Sequence, residues 1–264
     1  MTTTPKIYKT EAIVLKHFAL GETDYLVTLY APYMGKLKAV AKGARRVKSK
    51  LGGHLEPLMQ ASFLINKGQN LDTISQAEVL DGFRTVREDL ERLSKALYMV
   101  ELVDSITPDE QPNYPMYRLL LEALRSLSDD SSLLLLPFFQ LRLLDHAGFM
   151  PELYQCVECS SIISPDMHYF TPDGGGTICV SCHPKNLTVL PLSLNSLKVL
   201  RFLQKEEYAK VEGLHIKATT ASELSRLLGT LLEFTLGREV KATRFLNQVA
   251  GISVREGVST STKT

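Results

Sequence analysis

YLVTLYAPYMGKLKAVAK, residues 25–42, contains two β-strands and the turn between them. Tyr25–Tyr30 is rich in β-branched and aromatic side chains, the turn at 32–35 contains Pro and Gly, and residues 36–42 alternate polar and apolar side chains. Three more segments have strand character: Ile7–Phe18, Leu55–Asn66 and Leu71–Leu80. Five short strands in succession predict a small closed β-barrel. Both an OB-fold, a barrel that commonly binds nucleic acid, and an SH3-like barrel fit this pattern.

After the strands the apolar residues recur with a helical period. The helical segments are 85–106, 116–127, 133–147, 193–205 and a last one that begins at Thr220. Thr85-x-x-Glu88 and Thr220-x-x-Glu223 have the pattern of capping boxes, which mark helix starts. Pro137 should kink the third segment or mark its true start, because proline is tolerated only in the first turn of a regular helix. The Ser/Thr-rich end, Ser253–Thr264, predicts disorder.

The four cysteines of the chain form two C-x2-C pairs separated by a 19-residue gap: Cys156, Cys159, Cys179 and Cys182. This spacing is typical of a Zn²⁺ site, because each pair aims two thiolates at one ion and two pairs complete a tetrahedron. Four thiolates leave no position for water, so we expect one structural zinc. Disulfides are the alternative, and they are disfavoured in a chain without an export signal. His183 adjoins Cys182, and we interpret it as a bystander.

Between the two cysteine pairs, His168–Phe170 and Thr177-Ile178 have strand character, and the Gly-rich stretch 172–176 predicts the turn between them. This hairpin would bring the two cysteine pairs together. We expect His168 to lie at the surface.

A basic segment, residues 36–50, contains seven cations and no acid. Residues 1–80 hold eleven Lys and Arg against six Asp and Glu, a net +5, whereas the remaining residues hold nineteen against twenty-three, a net −4. A solvated loop would explain such a run, but adjacent arginines among flexible glycines favour a polyanion, because arginine pairs with phosphate through two hydrogen bonds. The candidate phosphate-binding residues are Lys36, Lys38, Lys42, Arg45, Arg46, Lys48 and Lys50.

Six aromatic residues of the strand region could stack on unpaired bases. They are Tyr8, Phe18, Tyr25, Tyr30, Tyr33 and Phe63. A place in the barrel core is the better interpretation for each of them, and we expect only Tyr33, which lies in a turn, to be exposed.

The chain carries no motif of a known catalytic centre. It lacks the G-x4-G-K-[ST] phosphate loop, the H-E-x-x-H zinc-protease motif and the G-x-S-x-G nucleophile elbow. Acidic pairs such as Asp109-Glu110 fit solvated loops better than a metal-dependent nuclease. No signal peptide or segment of about 20 apolar residues is visible, so we expect a cytoplasmic protein without membrane attachment.

Together these patterns predict a multi-domain α+β protein: a five-stranded barrel, either an OB-fold or an SH3-like barrel, followed by an all-helical bundle with a four-cysteine, zinc-finger-like insertion. The expected boundaries are the barrel domain at 1–82, a first helical part at 83–152, the zinc module at 153–185, a second helical part at 186–250 and a disordered tail at 251–264.

The chain resembles the bacterial recombination mediator RecO. The resemblance covers about residues 6–250 and rests on Gly21-Glu-Thr-Asp24, on Lys42-Gly-Ala-Arg-Arg-Val-Lys-Ser-Lys50 and on Leu55-Glu-Pro57, followed by helices that a zinc module interrupts. In this family the DNA-contacting basic residues correspond to Lys42, Arg45, Arg46, Lys48 and Lys50, whereas Lys36 and Lys38 are candidates on charge alone.

The resemblance implies that residues 1–82 form an OB-fold DNA-binding domain, and it implies a function without enzymatic chemistry. RecO proteins bind single- and double-stranded DNA, anneal complementary strands and act in recombinational DNA repair. They work with RecR and with the single-stranded-DNA-binding protein, whose acidic C-terminal tail they recognise through the helical domain, and they help to load RecA. A nucleoid-associated cytoplasmic protein is therefore expected.

Other classes of protein share some of these features. A zinc-stabilised OB-fold that binds RNA or the ribosome fits the basic segment equally well, because nothing in the sequence reads a 2′-hydroxyl. A nucleic-acid enzyme with an unrecognised site and a protein-interaction scaffold also stay open. Competition between single-stranded DNA and RNA, and a nuclease assay with magnesium or manganese, would separate these alternatives.

Overall fold

The computed structural model describes residues 6–129, 132–183 and 189–259, and within these ranges the side chains up to Ala250. Two compact units are present. The first comprises residues 1–128 and 241–264, and the second comprises residues 129–240. The domain boundaries predicted from the sequence stay predictions.

The first unit contains five strands: β1 Ile7–Leu20, β2 Asp24–Ala31, β3 Gly35–Ala41, β4 Gln60–Asn66 and β5 Asp72–Asp81. They form a closed barrel in the order β1-β2-β3-β5-β4, in which β4 pairs with β1 and closes the ring. All neighbouring strands are antiparallel except β3 and β5, which are parallel. This arrangement is that of an OB-fold and confirms the predicted fold.

Alternate residues of the strands fill the barrel, as a period of two requires. Val27, Leu29, Ala39, Phe63 and Ile65 belong to one buried apolar cluster. Their neighbours in sequence therefore face outwards, which decides what the outer surface of the barrel presents.

The fourth strand begins later than the sequence predicted. Residues 55–59 are not part of β4, because Pro57 lacks an N–H for the ladder and Leu58 has a positive φ of 75°. Leu55 and Leu58 are nevertheless buried, and the Leu58 N–H donates to the Val14 carbonyl at 2.9 Å. The segment thus closes one end of the barrel as a loop.

The helices are α1 Arg84–Glu88, α2 Leu90–Ile106, α3 Tyr114–Asp129, α4 Leu135–His146, α5 Leu194–Lys205, α6 Tyr208–Val211, α7 Ala218–Leu236 and α8 Lys241–Ser259. Pro137 is the third residue of α4, so it marks the helix start rather than a kink. The prediction of a disordered tail at 251–264 overlaps the end of α8, which continues to Ser259, and its last residues, 260–264, lie outside the described residues.

Both predicted capping boxes are wrong. Thr85 lies inside α1, which begins at Arg84 and ends where the chain becomes extended at Asp89. The Asp89 carboxylate caps the next helix, α2, by accepting the Arg92 N–H at 2.9 Å. Thr220 lies inside the first turn of α7, which begins at Ala218. Glu223 instead accepts the N–H and the hydroxyl of Ser193, each at 2.7 Å, and so fixes the start of α5 from another helix.

In the second unit α4 and α5 both pack against α7. The zinc module adds a small sheet in the order β7-β6-β8, with β6 at His168–Thr171, β7 at Gly176–Ile178 and β8 at Leu190–Leu192. The antiparallel pairing of β6 with β7 confirms the predicted hairpin. Among the described residues no helix is both long and apolar enough to span a bilayer.

Candidate nucleic-acid interface and metal centre

The loop between β3 and β4 (residues 42–59) is anchored to the turn between β1 and β2. The Arg45 N–H donates to the Thr23 carbonyl at 2.9 Å, and the Arg45 guanidinium donates to the Gly21 carbonyl at 2.9 Å. The Gly43 N–H donates to the Asp24 carboxylate at 2.8 Å, and Gly43 has a φ of +65°, which favours glycine. The Gly21–Asp24 motif therefore holds the first part of the basic loop in place.

The pKa of Asp24 reflects this contact. The hydrogen bond from the Gly43 N–H lowers the pKa of the carboxyl, and the hydrogen bond from the Thr23 hydroxyl, at 2.8 Å, lowers it further. Lys42 and Arg46 also lower this pKa by their charge. Asp24 is thus ionised at neutral pH and serves as the anchor of the loop.

Five cations of the loop project into solvent. All five side chains are exposed, and within the ranges that the structure describes none of them forms an ion pair with a carboxylate of the chain. The five are Lys42, Arg45, Arg46, Lys48 and Lys50. Fixed exposed cations without acidic partners are suited to bind the phosphates of a nucleic acid.

Lys36 differs from the other candidates. It is 8% exposed, and its ammonium group donates to the carbonyls of Asp104 and Thr107 at 2.7 and 2.6 Å. Its Nζ also lies 3.4 Å from the Asp109 carboxylate. Because its donors are used at the C-terminal end of α2, where carbonyls carry partial negative charge, Lys36 joins the barrel to the helix and is not available to phosphate.

Lys38 occupies an intermediate position. Its Nζ lies 2.6 Å from Asp109 Oδ2, and this contact raises the pKa of Lys38 and lowers the pKa of Asp109. The side chain is 44% exposed, so phosphate would have to compete with a carboxylate for it.

Much of the outer face of β1–β3 is closed by the rest of the first unit. Ile13, Thr28 and Tyr30 alternate with core residues, yet they are 0–2% exposed. Asp104 of α2 pairs with Lys16 of β1 and Lys36 of β3, so α2 runs across this face. The β2–β3 face is a usual binding surface of OB-folds. In this chain the accessible positive charge lies instead at the β3–β4 loop.

The exposed aromatic residues differ in part from the prediction. Tyr33 is 74% exposed, as predicted, and stacks on Tyr114 with ring centroids 5.5 Å apart. Phe18 is 58% exposed although we placed it in the core. Tyr30 and Phe63 are fully buried. Periodicity alone missed Phe18 because a bulge at Val14–Lys16 shifts the register of β1.

The four cysteines meet in the second unit. Their Sγ atoms all lie within 4.8 Å of one another, and the Cys159 and Cys179 sulfurs are 3.8 Å apart. A tetrahedral Zn²⁺ site with bonds of about 2.3 Å has edges of about 3.8 Å, so this separation fits such a site. Within the described residues, no His, Asp or Glu joins this cluster. The thiols therefore form a site that could hold one metal ion.

Hydrogen bonds to sulfur favour the thiolate form that a metal requires. The hydroxyl of Ser161, 3.1 Å from the Cys159 sulfur, is the largest influence on this thiol, and together with the Ser161 N–H and contacts with Cys182 and Cys156 it lowers the pKa of Cys159 to about 6. Burial opposes the ionisation of Cys156, but the N–H groups of Cys179, Cys159 and Glu158 donate to its sulfur and lower its pKa overall. The thiolate form is therefore favoured at Cys156 and Cys159, whereas hydrogen bonds with Cys159 and Cys179 raise the pKa of Cys182 to about 12.

Neither histidine of the zinc module belongs to the cluster. The His183 ring packs on Tyr169 with centroids 4.0 Å apart, which agrees with its interpretation as a bystander. The prediction that His168 lies at the surface is wrong, because the residue is 5% exposed and its Nε2 lies 2.9 Å from the Ser164 carbonyl. Its place on the central strand of the small sheet explains the burial.

Sequence reasoning missed Arg201, which fixes the zinc module to α5. Its guanidinium donates to the Leu153 carbonyl at 2.7 and 3.0 Å and to the Ile163 carbonyl at 3.0 Å, and it lies 4.8 Å from the Tyr154 ring centroid. A lone arginine on a helical pattern gives no signal of this role.

Two family models together match most of the chain. The model described as Recombination protein O N terminal matches residues 4–83, and the model described as Recombination protein O C terminal matches residues 87–244. The border between them falls where β5 ends and the helices begin.

Several relatives named DNA repair protein RecO align with nearly the whole chain. The protein of Roseiflexus sp. is 36% identical over 245 residues, which are 92% of this chain and 86% of that protein. Those of Dehalococcoides mccartyi and Desulforamulus reducens are each 33% identical, over 94% and 96% of this chain and 98% and 99% of their own lengths.

Proposed function

Because this chain belongs to the RecO family of DNA repair proteins, we propose that it is a non-enzymatic recombination mediator that binds single- and double-stranded DNA without sequence specificity. The observation that carries the proposal is the set of five exposed cations on the anchored β3–β4 loop. Contacts to phosphates supply affinity but no sequence information, so recognition by this loop is independent of base identity.

The DNA-binding set of this proposal is Lys42, Arg45, Arg46, Lys48 and Lys50. Lys38 lies at its margin because Asp109 competes for it, and Lys36 is left out because its donors are satisfied within the barrel–helix contact.

Strand annealing follows from the same charges. Two complementary strands repel each other through their phosphates, and a cationic loop that screens this repulsion while the base edges stay free lowers the barrier to their encounter. The step needs neither covalent chemistry nor a nucleotide. A nuclease assay with Mg²⁺ or Mn²⁺ should accordingly show no cleavage.

The protein partners proposed here rest on family membership. They are RecR, the acidic C-terminal tail of the single-stranded-DNA-binding protein and, indirectly, RecA, whose loading onto covered single strands the complex would assist. Such a role places the protein in the cytoplasm, associated with the nucleoid. Purified RecR and a peptide of the acidic tail are the probes for direct binding.

The proposed metal is one structural Zn²⁺ held by Cys156, Cys159, Cys179 and Cys182. Four thiolates match its preference for sulfur, the 3.8 Å between the Cys159 and Cys179 sulfurs fits an edge of a tetrahedral site, and four protein ligands leave no position for catalysis. The ion would stabilise a module of few strands that has little core of its own.

The test of DNA binding is the affinity for labelled oligo-dT at several salt concentrations. Five phosphate contacts give a slope of log affinity against log salt of about −3.5, at about −0.7 per contact. We expect Arg45→Ala/Arg46→Ala to flatten the slope by about 1.4 and to slow annealing. Arg84→Ala/Arg118→Ala, which removes two exposed helical arginines from i,i+4 ion pairs, is the matched control and should leave the slope unchanged.

An unchanged slope in the loop variant would contradict the proposal, and the basic segment would then serve a protein partner or solubility. The RNA-binding alternative is tested by competition with RNA of the same length. Preference for RNA would favour that alternative over DNA repair.

A further inference from the structure

The surface beside the basic loop contains an exposed aromatic residue that the proposed function does not use. Phe18 of β1 is 58% exposed, and Leu20, two residues further on the same face, is 42% exposed. Single exposed apolar residues are common and need no explanation. Phe18 and Leu20 lie at the same end of β1 and next to the cationic loop, so they form an apolar patch beside a positively charged surface.

The strand register shows how close this surface lies to the basic loop. Phe18 pairs with Leu26, and Leu26 pairs with Val40, so these three side chains form a row across the outer face of β1–β3. One step towards the β1–β2 turn, Leu20 pairs with Asp24. Lys42 follows Val40 by two residues, so it continues this second row.

The distance between the ring and the first cation of the loop follows from strand geometry. Two strand spacings and a two-residue offset separate Phe18 from Lys42 by about 12 Å. A single strand covers this distance in three to four nucleotide steps of about 3.4 Å. One short oligonucleotide therefore reaches both the aromatic ring and the loop cations.

The surroundings of the ring fit an anionic ligand. The Lys16 ammonium, which also pairs with Asp104, lies 5.7 Å from the Phe18 ring centroid, and the loop that contains Arg45 is bonded to the turn that follows β1. The other exposed aromatic of the barrel, Tyr33, is stacked on Tyr114 and shares its cleft with Asp109 and Glu110. Tyr33 and Phe18 lie near opposite ends of β2, so their contributions can be separated by substitution.

We propose that Phe18 is a base-stacking site for single-stranded nucleic acid, on which an unpaired base rests while the neighbouring phosphates bind the β3–β4 loop. This inference rests on the proposed function and adds a base contact to its phosphate contacts. Stacking on an aromatic ring tolerates every base, so the site keeps recognition independent of sequence.

The test compares labelled oligo-dT with an abasic strand of the same length at one salt concentration. Phe18→Ala should weaken binding to oligo-dT by about fivefold or more, since a stacked base contributes about 1–3 kcal/mol. It should not alter the affinity for the abasic strand or the salt slope. Phe18→Tyr keeps the ring and should bind like the wild type, whereas Phe18→Leu keeps apolar bulk without the ring and should behave like Phe18→Ala.

Tyr33→Ala is the matched control and should leave both affinities unchanged. Equal losses on both strands for Phe18→Ala, or no loss on either, would overturn the stacking site while the Arg45→Ala/Arg46→Ala result stands by itself. Wild-type protein that binds neither strand would overturn the stacking site and the proposed function together. Thermal melting of each variant verifies that the exposed substitution leaves the fold intact.

Discussion

Lys36 and Lys38, which are two residues apart and lie on the same face of β3, have different physical roles. Lys36 is buried with two carbonyl groups and two carboxylates around its ammonium group, whereas Lys38 is half-exposed with one carboxylate. Removal of a buried charge leaves its partners unsatisfied in a poorly solvated site, but removal of an exposed charge exposes its partner to water. The seven cations of the basic segment therefore do not form a single functional set.

Lys36→Ala should lower the free energy of unfolding by about 2 kcal/mol or more, because the carbonyls of Asp104 and Thr107 lose their donor. Lys38→Ala should change it by at most about 1 kcal/mol. Chemical denaturation measures both values. Neither variant should alter the salt slope of DNA binding as strongly as Arg45→Ala/Arg46→Ala, and equal destabilisation by the two variants would contradict the assignment.

The anchor at Asp24 should give the loop a pH dependence. Its pKa is lowered from 3.8 in the folded protein, chiefly by the Gly43 N–H. The carboxylate therefore stabilises the folded loop at every pH above 3.8, and this stabilisation is lost as the pH falls through the lower, folded pKa. Exchange of the Gly43 amide hydrogen should accelerate relative to neighbouring amides in acid.

Asp24→Asn should abolish this pH dependence and accelerate exchange of the Gly43 amide at neutral pH. Glu22→Gln, in the same turn, is the control for loss of one negative charge. Similar exchange rates in the wild type and in Asp24→Asn would show that the anchor does not hold the loop.

At the scale of elements, the zinc module shows how a small sheet depends on its attachments. Its central strand β6 pairs through only three residues with β7 and three with β8, which alone is too little to be stable. Gly176 packs directly against the backbone of Glu152, where an added Cβ would lie 2.6 Å from the carbonyl oxygen, so a larger residue does not fit there. The contacts of Arg201 supply part of what the sheet lacks, and we expect metal ligation by the four cysteines to supply the rest.

Cys156→Ala and Cys179→Ala should therefore reduce stability and solubility more than DNA affinity. The wild type should contain one Zn²⁺ per chain by elemental analysis, and a chelator should lower the melting temperature of the wild type but not of the variants. Gly213→Ala, at a site where an added Cβ meets no atom within 4 Å, is a control from the same unit. Variants that fold normally yet lose DNA binding would instead place the zinc module on the DNA surface.

At the scale of the whole molecule, the positive charge is concentrated in the first 80 residues, whereas the rest of the chain has a net charge of −4. We infer that DNA is bound by the barrel region and does not wrap the acidic remainder. If the same five cations bind both forms of DNA, the slope of log affinity against log salt should steepen from about −3.5 on single strands to about −4.5 on duplex, because each contact releases more counterion from duplex DNA.

Titration of a labelled duplex at several salt concentrations measures this slope, and Arg45→Ala/Arg46→Ala should flatten it by about 1.8. Phe18→Ala should leave duplex binding unchanged, because paired bases are not available for stacking. A much steeper slope on duplex would reveal further cations beyond the β3–β4 loop.

Local signals in the sequence were sufficient to predict the classes of secondary structure and the clustering of the four cysteines. Alternation in residues 25–42 predicted strands, the helical period after Thr85 predicted helices, and the two C-x2-C pairs predicted the cysteine cluster, because these signals are local and have a fixed period or spacing. Even where the helix caps were wrong, the helices were present, since apolar periodicity outweighs a single terminal hydrogen bond.

Which side chains of a pattern are exposed and unpaired depends on the packing of distant parts of the chain. Lys36 and Lys42 are both lysines of the basic segment, but the end of α2 buries Lys36, whereas Lys42 is exposed. Phe18 and Phe63 are both strand phenylalanines, yet a bulge in β1 leaves the first exposed while the second fills the barrel. Exposure and pairing depend on residues distant in sequence, and these contacts have no local signature from which they could be predicted.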